Sequence, residues 1–326
     1  MPPHVFWPPR YKFGLWPLLG LCLLLSGCRT AVLDSKGAIG LAQKDLILTA
    51  TWLMLLVVVP VFIMIAAFSW RYRARNQQAT YAPNWAHNNA IEAVVWGIPI
   101  AIIAVLAVVT WRSSHALDPR QPLINPTDQA VINVEVVSLD WKWLFIYPDY
   151  GVASVNELAF PVHTPVRFHI TSQSVMNSFF IPQLGSQLYA MGGMQNVLHL
   201  VANEPGHYLG MSANYSGNGF SGMKFTAIVA DQAGFDTWIQ QAKAAPAVLN
   251  WAQYQALSMA SQNHPVTHYG QVSPRLYQAI LRQYMYMADQ SHEDSAQEGS
   301  PFATSSDFDF AAKRPNRTLI QPLIRP

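Results

Sequence analysis

Residues 131–148 read VINVEVVSLDWKWLFIYP, and at about Val131 the chain takes on a new character. The segment divides into two runs, VINVEVVSLD and WKWLFIYP, rich in β-branched and aromatic side chains. In the second run Trp141, Trp143, Phe145 and Tyr147 recur every other residue, a period of two that places them on one face of a strand. Further short runs follow, TPVRFHITSQ, NVLHLVA and MKFTAIVAD, with Gly, Pro and Asn between them. Recurrent short strands separated by turn residues predict an antiparallel sandwich. Residues 131–231 are sufficient for one core of that kind.

Upstream of the sandwich, residues 113–130 form a linker containing RQPLINPTDQ. Before it lie two long apolar runs, Leu46–Trp70 and Ala93–Trp111. At about 1.5 Å per helical residue each is long enough to cross the roughly 30 Å hydrocarbon core of a bilayer. Pro60 is a potential kink in the first, and Trp70, Tyr72 and Trp111 are placed as interface anchors. Arg71, Arg73 and Arg75 crowd the connection between the spans, which marks that connection as cytoplasmic and both outer flanks as extracytoplasmic. The first residues read as a secretory signal: Arg10 and Lys12, then FGLWPLLGLCLLL, then LLLSGC ending at Cys28. That ending resembles the bacterial lipoprotein box. It predicts a signal peptide over 1–27 and lipidation of Cys28, the alternative being an uncleaved anchor or a buried cysteine.

The composition agrees with a chain partly in lipid: 51% of residues are hydrophobic and only 12% charged. A formal net charge of +2 gives no basic surface for nucleic acid. Cys22 and Cys28 are the only cysteines, so neither a disulfide framework nor a cysteine metal cluster is available to the body of the chain. Beyond Asp231 the pattern turns helical, in an arm over 232–290. Phe235, Trp238, Ile239 and Ala242 share one stripe, and a second helix opens at Ser273 and Pro274 with Leu276, Ile280 and Tyr284 on one face. Residues 291–326, rich in Ser, acidic residues and Pro, read as a disordered tail.

A two-span hairpin, the DWKW strand and the segments PNWAHNN, IEAVVW, SVMNSFFIPQLGSQLYAMGGM, ANEPG and SANYSGNGFSGMKFTAI together resemble subunit II of the haem-copper respiratory oxidases. The bo-type ubiquinol oxidase branch matches best, over Leu33 to Tyr284. The resemblance implies a cupredoxin-like Greek-key sandwich on the periplasmic side of a bacterial inner membrane. In copper-bearing relatives that sandwich holds a dinuclear centre built from two thiolates, two imidazoles, a methionine sulfur and a backbone carbonyl. Counting back from Met223, this chain offers Phe220 and Asn177 for the histidines, Ser216 and Ser212 for the cysteines, and Asn214 for the carbonyl. Hydroxyls are hard, protonated and poor bridges, a phenyl ring has no lone pair, and one thioether does not hold two coppers. The register of a copper site is therefore present without its chemistry, and no bound cofactor is expected.

Other residues admit both a chemical role and a plainer one. Met191, Met194, His199, His207 and Met211 suggest a copper-handling cluster, but methionines filling core gaps and histidines at the surface are the simpler expectation. The aromatic strand, on an electron-entry route in copper-bearing relatives, is expected to serve core packing and partner contact. Glu92 opens the second span, where a helix dipole alone favours a carboxylate. By resemblance it also stands at the entrance of a proton-uptake path into the large subunit. The function implied is subunit II of a proton-pumping quinol oxidase, with haems, catalytic copper and ubiquinol held by subunit I and the rest of the complex. A menaquinol oxidase subunit, or a membrane-anchored copper chaperone on a cupredoxin scaffold, are the alternatives.

Overall fold

The computed structural model describes residues 31–80, 82, 84–85, 87–123 and 130–283 of the 326. The expectations for the signal peptide, Cys28, Tyr284 and the tail lie outside those residues, as does the whole of a second unit, Met285–Pro326.

Both apolar runs are helices, and both extend past the apolar core that identified them. Helix α1 spans Ala38–Arg71 and continues through Pro60; α2 spans Asn89–Ala116 and contains Pro99. The Asn88 side chain caps α2, accepting hydrogen bonds from the backbone of Ala90 and Ile91 at 3.0 and 3.2 Å. Apolar side chains face outward all round both helices: Trp52, Phe62, Trp96 and Trp111 are each at least 67% exposed. A helix apolar on every side is a helix for lipid or for a partner's apolar face.

Thirteen strands follow among the described residues. They are β1 (Ile132–Leu139), β2 (Lys142–Tyr147), β3 (Val152–Val155), β4 (Glu157–Pro161), β5 (Val166–Ser172), β6 (Asn177–Ile181) and β7 (Gly185–Ala190), then β8 (Asn196–Leu200), β9 (Gly206–Ser212), β10 (Lys224–Ala230), β11 (Val248–Leu249), β12 (Thr267–Tyr269) and β13 (Gln271–Val272). One six-stranded sheet has the order β12-β3-β2-β1-β5-β8 and faces a five-stranded sheet of order β4-β10-β9-β6-β7. The sheets are mixed, where antiparallel pairing was expected. β1 runs parallel to β5 and β4 parallel to β10, because a sandwich whose strands cross between sheets brings strands from remote parts of the chain side by side.

Trp143, Phe145 and Tyr147 all enter the core between the sheets, with Trp141 packed against its edge. Their alternates on β2, Leu144 and Ile146, enter a second core on the opposite face. That second core is built by the C-terminal arm: α4 (Trp251–Ser258), Tyr269 of β12 and the helical residues 276–283. Before it, α3 (Gln232–Lys243) buries Phe235, Trp238, Ile239 and Ala242, the stripe read from sequence. The last helix begins later than Ser273: Ser273–Arg275 form a turn, Arg275 has φ 62°, and helical residues start at Leu276. The β12 strand makes part of the arm a strand of the sandwich itself, which the helical pattern did not reveal.

The membrane-type helices and the sandwich meet where α1 begins. The backbone amides of Lys36 and Gly37 donate to Gln183 O, and that of Gly40 to Leu184 O at 3.0 Å. Gly185 has φ +110°, and a Cβ there would lie 2.6 Å from Gly40 N. Only a glycine permits that approach.

Candidate functional site

The loop leaving β9 at Ser212 and entering β10 at Lys224 caps one end of the sandwich, closing with a short 3₁₀ turn over Phe220–Gly222. Asn177, the first residue of β6, is fully buried beside it. The Ser212 hydroxyl donates to Asn177 Oδ1 at 2.9 Å and also lies 3.3 Å from the Asn214 carbonyl. A hydroxyl has one proton, so these two acceptors share it. Asn177 Nδ2 donates to the Val175 carbonyl and Asn214 Nδ2 to the Met176 carbonyl. Met223 is 1% exposed, and its carbonyl accepts the Ser212 amide at 3.1 Å.

Four of the six predicted positions, Asn177, Ser212, Asn214 and Met223, are thus joined directly. Ser216 and Phe220 are held by other means. The Ser216 carbonyl accepts Trp141 Nε1 at 2.8 Å, and its hydroxyl is buried without a hydrogen-bond partner among the described residues. The Phe220 ring packs edge-on to Tyr215 at 5.6 Å. Trp141 lies flat against the loop, and a Cβ on Gly219 would come within 2.4 Å of its ring. Two residues along β6 and β10, Phe179 and Phe225 stack at 5.2 Å, each edge-on to Trp143. Core packing is therefore the role of the aromatic strand within this chain.

The donors assembled here are two hydroxyls, two carboxamides and one thioether. They include no thiolate and no imidazole, and the Ser212–Asn177 bond already engages the atoms that would have to turn toward a metal. The set does not fit a dinuclear copper centre, which requires bridging soft sulfur. It contains no group that titrates near neutrality and none that carries an electron; it is a polar plug that closes the sandwich.

Lys142 beside this loop was not recognised from sequence. It is 1% exposed, and its ammonium donates to Asp140 O, Met259 O and Ser261 Oγ at 3.0, 2.8 and 2.6 Å. Burial lowers its pKa, opposed by Asp140. The available signal was a lysine set between two inward tryptophans in an otherwise apolar run.

The expectation of surface histidines and core methionines holds for His207, which is exposed, and fails for His199 and Met194. His199 is only 6% exposed, whereas Met194 is 54% exposed. On this edge of the fold it is the methionine that faces out. Glu92 stands apart from the loop, in the first turn of α2, half exposed, with His87 Nδ1 3.3 Å from its carboxylate.

With this geometry in place, two family descriptions match the chain: "Cytochrome C oxidase subunit II, periplasmic domain" over residues 151–231, and "COX Aromatic Rich Motif" over 243–288. The second covers the arm that builds the second core. Among whole proteins, the chain is 53% identical over 285 residues to cytochrome bo(3) ubiquinol oxidase subunit 2 of Pseudomonas putida, covering 87% of this chain and 90% of that one. It is 54% identical over 274 residues to the protein of the same name from Pseudomonas aeruginosa, covering 84% and 82%. To ubiquinol oxidase subunit 2 of Acetobacter aceti it is 50% identical over 266 residues, covering 82% and 86%. At such identity over nearly the full length of both partners, the chain belongs to the cytochrome bo(3) ubiquinol oxidase subunit 2 family, within the subunit II proteins of the haem-copper oxidases.

Proposed function

We infer that this chain serves as subunit 2 of a bo(3)-type ubiquinol oxidase, a respiratory complex that passes electrons from ubiquinol to oxygen. The observation that carries the reading is identity above 50% to two proteins of that name over more than four fifths of each chain. The loop chemistry supports it independently. Quinol gives up its electrons within the membrane, so a water-facing copper relay has no task, and a scaffold freed of that task can replace thiolates and imidazoles with a hydrogen-bonded plug.

In this reading the chain binds no copper or haem of its own; those groups belong to subunit I. The chain acts by binding and positioning. Helices α1 and α2, apolar on every side, supply surface for lipid and for subunit I. The Arg71, Arg73 and Arg75 connection supports a cytoplasmic hairpin end and a periplasmic sandwich at the inner membrane, with Cys28 as the lipid anchor. Glu92, exposed at the start of α2 with His87 beside it, is the group suited to receive a proton from the cytoplasm.

Affinity purification of the full chain from its native membrane tests the reading. The expected result is a haem-bearing large subunit in equal amount and no copper attributable to this chain. A chain purified without haem protein, carrying stoichiometric copper, would establish the chaperone alternative instead.

A further inference from the structure

The connection between α1 and α2 gathers cations without counterions. Between Asp45 and Glu92 the sequence holds no aspartate or glutamate, while Arg71, Arg73 and Arg75 stand at alternate positions. Arg71 belongs to the last turn of α1, where a helix C-terminus by itself favours a cation. Arg73 and Arg75 lie beyond the helix. None of the three guanidinium groups has a hydrogen bond or ion pair among the described residues, and Glu92, the first carboxylate after them, is engaged with His87. The Arg73 guanidinium lies instead over Trp70, 4.3 Å from the ring centroid. Stacking covers the plane of the guanidinium and leaves its N–H edges free, the geometry that grips a phosphate with two parallel hydrogen bonds.

Arg73 borders a cavity of about 780 Å³, lined also by Phe68, Tyr72, Asn76 and Trp85. Asn76 fixes the turn that frames it: its backbone amide donates to the Arg73 carbonyl at 2.8 Å and its Nδ2 to the Arg71 carbonyl at 2.6 Å. The lining is graded along the helix axis. Arg73 and Asn76 stand beyond the end of α1, Tyr72 at its end, and Phe68 one turn back, about 6 Å deeper along the span. That order, cationic, then phenolic, then wholly apolar, matches the order of phosphate, glycerol ester and acyl chain in a phospholipid. We propose that this cavity binds one anionic phospholipid of the cytoplasmic leaflet, with its phosphate on Arg73 and the upper part of an acyl chain against Phe68. The site rests on the membrane orientation proposed for the hairpin, with its connection at the cytoplasmic face. Three uncompensated arginines favour a headgroup of net negative charge over a zwitterionic one. A water takes up about 30 Å³ of the liquid, so the cavity is many times larger than a free phosphate ion needs, and such an ion would leave the Phe68 end unfilled. Helices apolar on every side bring lipid to this end of the span, so the anion nearest to Arg73 is a lipid phosphate.

Photocrosslinking of the full chain in its complex tests this, with phosphatidylglycerol carrying a photoreactive headgroup as the probe. Labelling is expected within residues 68–80, displaced by unlabelled phosphatidylglycerol and not by phosphatidylcholine or inorganic phosphate. Arg73→Gln should weaken binding about fivefold, the worth of one arginine at a membrane surface, whereas Arg112→Gln, near the far end of α2, should leave it unchanged. Labelling elsewhere only, equal displacement by phosphatidylcholine, or displacement by inorganic phosphate overturns the lipid site. So does absence of labelling, the result that a partner subunit's carboxylate over the arginines would give. Should Arg73→Gln fail to assemble, the displacement series on the native chain decides alone. Gln78→Cys separates the site from the orientation beneath it: a membrane-impermeant maleimide should reach that cysteine only from the cytoplasmic side of sealed vesicles. Reaction from the outer side overturns the orientation and with it the leaflet assigned to the lipid, whereas cytoplasmic reaction without lipid labelling overturns the site alone.

Discussion

Lys142 carries its charge where almost no water reaches, and all three ammonium hydrogens have oxygen partners: two on Asp140 and Met259 carbonyls, one on Ser261. Lys142→Met keeps most of the side-chain volume but takes the ammonium from the Met259 carbonyl and the Ser261 hydroxyl, while the Asp140 carbonyl still accepts the Ser261 amide at 2.9 Å. A loss of about 1–3 kcal/mol is expected, read as a lower melting temperature of the full chain in detergent. Glu92 presents a different case. Its carboxylate is 53% exposed at a helix start, so it contributes little to stability and Glu92→Ala should leave melting unchanged. If it admits protons, the same substitution slows oxygen turnover and proton uptake by about an order of magnitude or more. Unaltered turnover returns Glu92 to a helix-dipole role. Neither effect depends on the other, since Lys142 and Glu92 lie on different elements.

Between elements, the loop from β9 to β10 holds the spacing of a metal site on a strand scaffold that remains ordered. Ser212 is fixed by the Met223 carbonyl, and Asn177 by its place at the start of β6. Replacing Asn177→His, Ser212→Cys, Ser216→Cys and Phe220→His together should therefore give a purple protein binding two coppers, measured by metal analysis and visible absorption. Failure would mean that the Trp141 packing at Ser216–Gly219 has carried the loop out of register. The junction of β1 with the C-terminal arm makes a pH prediction. Burial, then Asp149, pushes the Glu135 carboxyl up to about 7, from an ordinary value of 4.5. It borders a cavity with Arg275, Leu276 and Tyr277 of the arm. The folded chain prefers the protonated carboxyl, so its stabilisation is complete below about pH 4.5 and is lost as pH rises through about 7. Melting temperature should fall across that interval, and Glu135→Gln should flatten the fall.

At the scale of the molecule, the sandwich hangs from the helices by two attachments, one built of glycine and backbone bonds, the other through the His199 amide, which donates to the Pro119 carbonyl at 3.2 Å. Gly185→Val would place side-chain carbons against Gly40 at a backbone angle that valine resists. A cost of about 2 kcal/mol or more is expected, read as faster proteolysis around residues 36–40. The sequence by itself determined whatever repeats along one segment: two apolar helices, the α3 stripe, the β2 alternation and the spacing of Asn177, Ser212, Ser216, Phe220 and Met223. Each is a local period or a count, and neighbours along the chain suffice to state it. Tertiary structure alone decided the parallel pairing of β1 with β5, the second core behind Leu144 and Ile146, the burial of His199 and the partners of Lys142. Those outcomes depend on groups far apart in sequence, as with Lys142 and Met259, 117 residues apart. A lysine in an apolar run reads as a surface residue until the fold brings three oxygens to it, because burial of a charge is a property of what surrounds it.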